Sequence, residues 1–293
     1  MSDSTMVRDI GAAVGYRPEH TLPLRAEWGR QAARRRTQLA LGAMVLLPLI
    51  VLAAFQFGND DDGDGGRRSE FSSLADLATA GGVNFAVFTV LVSSTFLLVV
   101  VVALFFGDPI ASEASWGSLR YLLAAPVPRS RLLLAKVLVA LGYTVLAMVL
   151  LVGTALLIGT LRYGWEPLAS TVAADISAGE GLLRLLGIVS YLLVTLSVVA
   201  ALAVLLSVST DAPLGAVGGA VVLVIVSSIL DQIEALGGLR DLLPTHYNSA
   251  WLGLLSTPAQ TDDIVKGAVS AIVYVTVFLS AAWWRFLRKD VVS

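Results

Sequence analysis

Cysteine is absent from the chain. That excludes disulfides, thiolate metal sites and cysteine nucleophiles, while leaving the compartment open. Histidine occurs only at His20 and His246. Charge is scarce: 14 % of the 293 residues are Asp, Glu, Lys or Arg, against about 25 % in soluble domains. The net charge of −2 carries no bias toward nucleic acid. There is no G-x-x-x-x-G-K-[ST] loop to cradle phosphates and no H-E-x-x-H or G-x-S-x-G pattern. No stretch is polar and long enough to fold as a separate nucleotide-binding domain. In place of these features, 56 % of the residues are hydrophobic and the mean hydropathy is +0.80. Too little polar surface is left to cover a water-soluble ball, so lipid is the expected solvent.

A membrane-crossing helix needs about 20 mostly apolar residues. Six runs qualify: Thr37–Phe57, Val83–Phe106, Leu132–Leu161, Leu182–Val208, Pro213–Ile233 and Ile264–Leu287. The expected fold is therefore an all-α polytopic membrane domain over residues 37–293, preceded by an N-terminal segment of 36 residues. The charged N-terminus lacks the usual cleavable-signal shape, so the first run is expected to be retained as a signal-anchor. The third run is long for one straight crossing: either it tilts or its first turns lie outside the hydrocarbon. Lys136 favours the second, because a mid-bilayer Lys costs about 2.5–3.5 kcal/mol. Between the fourth and fifth runs, Thr210 or Asp211 is expected to cap the fifth helix, with Pro213 in its first turn.

Basic residues are unevenly placed. Seven precede the first run (Arg8, Arg17, Arg25, Arg30, Arg34, Arg35, Arg36), four lie between the second and third cores (Arg120, Arg129, Arg131, Lys136) and three follow the last (Arg285, Arg288, Lys289). Only six of the 20 fall on the other side. The positive-inside rule then puts both termini in the cytoplasm of a cell membrane, and the Ala, Val, Leu and Arg usage points to a GC-rich bacterial source. The acidic loop 58–82, with its GNDDDGDGGRR string, lacks EF-hand spacing and reads as a solvated loop. Small residues recur in Gly153–Gly159 and Gly215–Ala220, serving close packing or helix bending. No acid sits in mid-span, which weakens an ion-coupled carrier.

Two flanking segments are patterned. Before the first run, Leu22, Leu24, Trp28 and Ala32 alternate with Arg25, Arg30 and Arg34. This predicts an interfacial helix with Trp28 at headgroup level and arginines toward anionic lipid. Between the second and third runs, Asp108-Pro109 reads as a cap followed by a first-turn proline, and Pro126 and Pro128 as breakers. The stretch 108–125 is then a short amphipathic helix on the inner surface.

The order Glu113, Gly117-Ser118-Leu119, Leu122-Leu123, Pro126-x-Pro128-Arg129, Leu132-Leu133-Leu134-Ala135-Lys136 resembles the signature of ABC type-2 exporter permeases. The stretch around Glu27 and Trp28 is similar to that family's connector helix, Leu242–Leu255 to its re-entrant region before the last span, and Trp283 onward to its basic tail. The resemblance implies that 108–125 is a coupling helix docked on a separate ATPase through Glu113, Trp116, Gly117, Ser118, Leu119, Arg120 and Arg129. It implies an interfacial helix using Glu27, Trp28 and Arg34, and an exit or re-entrant region using Pro244, His246, Tyr247 and Trp251. It further implies two ATPase copies carrying ATP and Mg, a second permease subunit (a homodimer being the expected arrangement), no cofactor on this chain, no metal and no catalysis by it. The expected function is export of an amphipathic, lipid-like or drug-like cargo. The alternatives are a non-transporting membrane scaffold or sensor, and a secondary carrier.

Overall fold

A computed structural model of the protein describes residues 24–57, 77–116, 129–169 and 176–288. Those residues form eight α-helices: α1 (Leu24–Ala32), α2 (Arg35–Phe57), α3 (Gly82–Ser94), α4 (Leu97–Ser115), α5 (Arg129–Tyr163), α6 (Ala178–Ser209), α7 (Pro213–Asp231) and α8 (Asp262–Arg288). Two short 3-10 helices, Glu234–Leu242 and Ala250–Leu255, lie between α7 and α8. Among the described residues the one β contact is an isolated bridge between Leu168 and Ile176. Six helices (α2, α4, α5, α6, α7 and α8) are long and apolar enough to cross a bilayer. The chain is an all-α polytopic membrane protein.

Helices are what an apolar chain must form in lipid, because every backbone N–H and C=O has to be satisfied within the segment. The hydroxyls follow the same logic. Thr89 donates to the Phe85 carbonyl, Thr144 to Ala140 and Ser190 to Leu186, each four residues back. The turn between α6 and α7 departs from expectation. Ala212, not Thr210 or Asp211, is the N-cap of α7; Thr210 Oγ1 instead accepts from the Ala212 N–H at 3.2 Å. Pro213 does take the first helical position.

The second run differs more. Residues 83–106 are not one helix: α3 stops at Ser94 and α4 starts at Leu97. Ser93 and Ser94 bond the Val90 and Leu91 carbonyls at 3.0 and 2.9 Å, so side chains take up carbonyls in the last turn of α3. At its other end α4 continues to Ser115, and Asp108-Pro109 lies inside it instead of starting a helix. Pro109 forfeits one helical hydrogen bond. Nearby, the Ala111 N–H donates to Ser207 Oγ of α6 at 3.1 Å.

α4 and α6 are the centre of the bundle, and α2, α7 and α8 present most of their surface outward. Small residues set the closest approaches. A Cβ on Gly82 of α3 would lie 2.7 Å from the Thr160 backbone nitrogen of α5, and one on Gly159 would meet Gly82. Gly153 and Gly218 have no neighbour at such a distance, so close packing accounts for only part of the two small-residue stretches. The ends of α1, α4 and α5 that meet carry the basic cluster. The 232–261 segment lies at the opposite end, against the start of α6.

Candidate functional site

At the α1 end, three elements converge on a buried set of charges. Lys136 of α5 donates to Glu27 of α1 at 2.8 Å and to Glu113 of α4 at 2.6 Å. Arg30 pairs with Glu27 at 2.8 Å. Arg34 and Arg36 each hold one oxygen of Asp108 at 2.5 Å, and Arg34 also donates to Ser112 Oγ at 3.0 Å. Asp108, Glu113, Glu27 and Lys136 are all buried. Each charge therefore answers another that would be costly to leave unpaired away from water.

This arrangement alters the reading of α1. Its buried residues are Glu27 and Gln31, so the face that docks on the bundle is polar, while Leu24 and Trp28 of the expected apolar stripe stay exposed. Trp28 is 40 % exposed, yet its ring also stacks on Tyr143 with centroids 4.3 Å apart, and the Tyr143 hydroxyl donates to the Trp28 carbonyl at 3.0 Å. The absence of a side chain at Gly142 makes room for the indole, since a Cβ there would lie 2.5 Å from Trp28 Cζ3. Leu24 is half exposed.

The expected coupling residues separate. Glu113 faces inward onto Lys136, whereas Trp116, 75 % exposed, ends α4 at the surface. Arg129 donates to the Leu287 carbonyl at 3.0 Å and so ties α5 to the end of α8. Gly117, Ser118, Leu119 and Arg120 lie outside the described residues, as does most of the 58–82 loop. Sequence reasoning missed Asp108 and Lys136 as site members. The available signal was Lys136 itself, a cation in an apolar run that needs a carboxylate partner.

At the opposite end, a cleft of ≈ 240 Å³ opens between the α3–α4 break, α6, α7 and the 232–252 segment. Polar Thr95, Ser228, Gln232 and Asn248 and apolar Leu91, Val99, Val224 and Leu252 line it together. Asp231 and His246 share its rim, with Nδ1 of His246 2.5 Å from Asp231 and Nε2 3.3 Å from Asp241. Asp231, seen in the sequence only as a span-end acid, is thus a partner of the histidine. Among the expected exit residues, His246 and Trp251 line the cleft, and Trp251 is buried. Pro244 and Tyr247 do not line it; the Tyr247 carbonyl instead accepts from the Tyr191 hydroxyl at 2.7 Å. Arg184 fastens the segment to α6, donating to the Leu254 and Ser256 carbonyls at 2.8 and 2.7 Å.

A family model described as a protein of unknown function (DUF2705) matches residues 49–292. The chain belongs to that DUF2705 family. The match takes in Asp108, Glu113, Lys136 and the whole cleft, while α1 with Glu27 and Trp28 precedes it. No curated protein matches the chain.

Proposed function

We propose that this chain is the membrane subunit of an ATP-driven exporter of the ABC type-2 kind. In this reading the α1 end faces the cytoplasm of the cell membrane. Two copies of a separate ATPase subunit supply ATP and Mg, and a second permease subunit, a homodimer partner, completes the pathway. The observation that carries the reading is the buried ion-pair set joining α1, α4 and α5. A push on the exposed tip of α4 at Trp116 moves Glu113, and Glu113 is held to Lys136 on a helix of 35 residues. Such a helix is about 52 Å long, more than the roughly 30 Å of hydrocarbon. Motion at one end therefore reaches the other through a rigid element. The signature-like block from Glu113 to Lys136 supports the same reading.

The test is co-purification of the tagged chain in mild detergent, with an ATPase assay, comparing wild type and Trp116→Ala. Trp116 is chosen over Glu113 because reversing a buried carboxylate would break the ion pairs whether or not a partner docks. The expected result is a stoichiometric ATPase with wild type, and recovery at least about tenfold lower with the variant, as for an exposed aromatic anchor. A clean preparation without nucleotidase or nucleotide-dependent activity overturns the reading and favours a scaffold or a secondary carrier.

A further inference from the structure

We infer that the cleft opposite α1 binds an uncharged polyhydroxylated head group carried on an apolar tail. This names the cargo class for the exporter reading and rests on that reading only in calling the ligand cargo. Several helix hydroxyls are spent on their own backbone, in the cleft as elsewhere: Thr89, Thr144, Thr154, Ser190 and Thr276 bond the carbonyl four residues back, and Ser94 and Thr195 of the cleft the carbonyl three residues back. Four other cleft side chains are not so engaged. Among the described residues, the side chains of Thr95, Ser228, Gln232 and Asn248, the first three of them exposed, make no hydrogen bond within the protein, and all four line one space. Two amides and two hydroxyls offer donors and acceptors in mixture. A set of ligand hydroxyls, each both donor and acceptor, matches that mixture.

Charge does not select a cation here. Asp231 is held by His246, His246 faces Asp241 on its other nitrogen, and Arg240 donates to the Asp231 carbonyl at 3.3 Å. The acids already have cationic or protic partners. Size narrows the ligand further. The cleft is open at its mouth, and its volume of ≈ 240 Å³ compares with roughly 300–1,000 Å³ for sites that enclose whole drug-sized molecules. That suits one six-membered polyol ring and the first carbons of a tail. Leu91, Val99, Val224 and Leu252 supply apolar contacts for those carbons, beside the helix break at Thr95 and Phe96.

The test is photo-crosslinking of the full chain in phosphatidylcholine nanodiscs. The probe is an octyl glucoside bearing a diazirine in its tail, compared with the same tail carrying a trimethylammonium or a carboxylate head. Glucoside cross-links are expected to concentrate in residues 91–99 and 245–252, at least about fivefold above either charged head. The double variant Gln232→Leu/Asn248→Leu is expected to lower them about fivefold or more, as the loss of two neutral hydrogen bonds implies. Its melting temperature should stay at the wild-type value, since neither amide bonds the fold. Equal labelling by all three heads, or labelling unchanged in the double variant, means a water-filled vestibule and overturns the inference. An ATPase partner together with head-independent labelling removes this inference alone. Head-selective labelling without an ATPase removes the exporter reading alone.

Discussion

Lys136 shows how far a single residue is determined by its surroundings. Its side chain is 2 % exposed, and its ammonium sits between two carboxylates whose side chains are nearly as buried. Removing one member of such a set leaves the others charged and unanswered, a loss of about 3–5 kcal/mol. Lys136→Met is therefore expected to lower the apparent melting temperature in nanodiscs markedly, because Glu27 and Glu113 lose their close buried ammonium, and the arginines near Glu113, Arg30 and Arg34, both stand 3.9 Å away. Neutralising Glu27→Gln, Glu113→Gln and Lys136→Met together should recover much of the loss, since no buried charge of the three is left unpaired and Arg30, which loses its carboxylates, is 43 % exposed and solvated. A melting temperature unchanged in the single variant would mean that the three elements are held by something other than these charges. Membrane proteins commonly unfold irreversibly, so the comparison is made at one scan rate.

At the scale of elements, α1 is held to α5 by shape as well as charge. Trp28 lies over Gly142 and on Tyr143, so a side chain at 142 must displace the ring from its stack. Gly142→Val is expected to lift α1 off the bundle, with hydrogen-exchange protection of residues 24–32 falling about tenfold and that of α6 unchanged. Equal protection in the variant would show that the ion pairs alone hold α1. The same helix marks the limit of what local pattern discloses. Periodicity located an amphipathic segment there, but not which face docks. That depends on Glu113 and Lys136, more than 80 residues away in sequence. Asp108-Pro109 misled for the same reason. The pair has the local form of a cap and a first-turn proline, but Arg34 and Arg36, 74 and 72 residues earlier, claim the carboxylate inside a continuing helix. The apolar runs were legible because lipid imposes the helix on any such stretch. Their ends fall within a few residues of the observed ones in five of six cases: α2, α5, α6, α7 and α8. The break at Thr95-Phe96 was not legible, since hydropathy passes through it uninterrupted. The cleft was half legible: Pro244-Thr245-His246-Tyr247-Asn248 stood out as polar, while its partners on α3, α6 and α7 were ordinary span residues.

The whole molecule has two unlike ends. One carries α1 and a packed ion-pair cluster; the other carries the 3-10 helices and an open polar cleft. Which end meets the cytoplasm decides the sense of any transport, and the basic residues argue for the α1 end. The lack of cysteine makes the question directly testable, because a single introduced thiol is the only one in the chain. Trp116 and Gln232 are both exposed, at opposite ends of the bundle, and suit the purpose. In intact cells a membrane-impermeant maleimide is expected to label Gln232→Cys and to label Trp116→Cys only after permeabilisation. Thiolate formation needs water, so labelling at Gln232 also requires the cleft to be wet, as a site that exchanges a polar head group with the outer solution must be. The reverse pattern would turn the molecule over, place the cleft on the cytoplasmic side, and make the ion-pair end an outward-facing surface that no ATPase could reach.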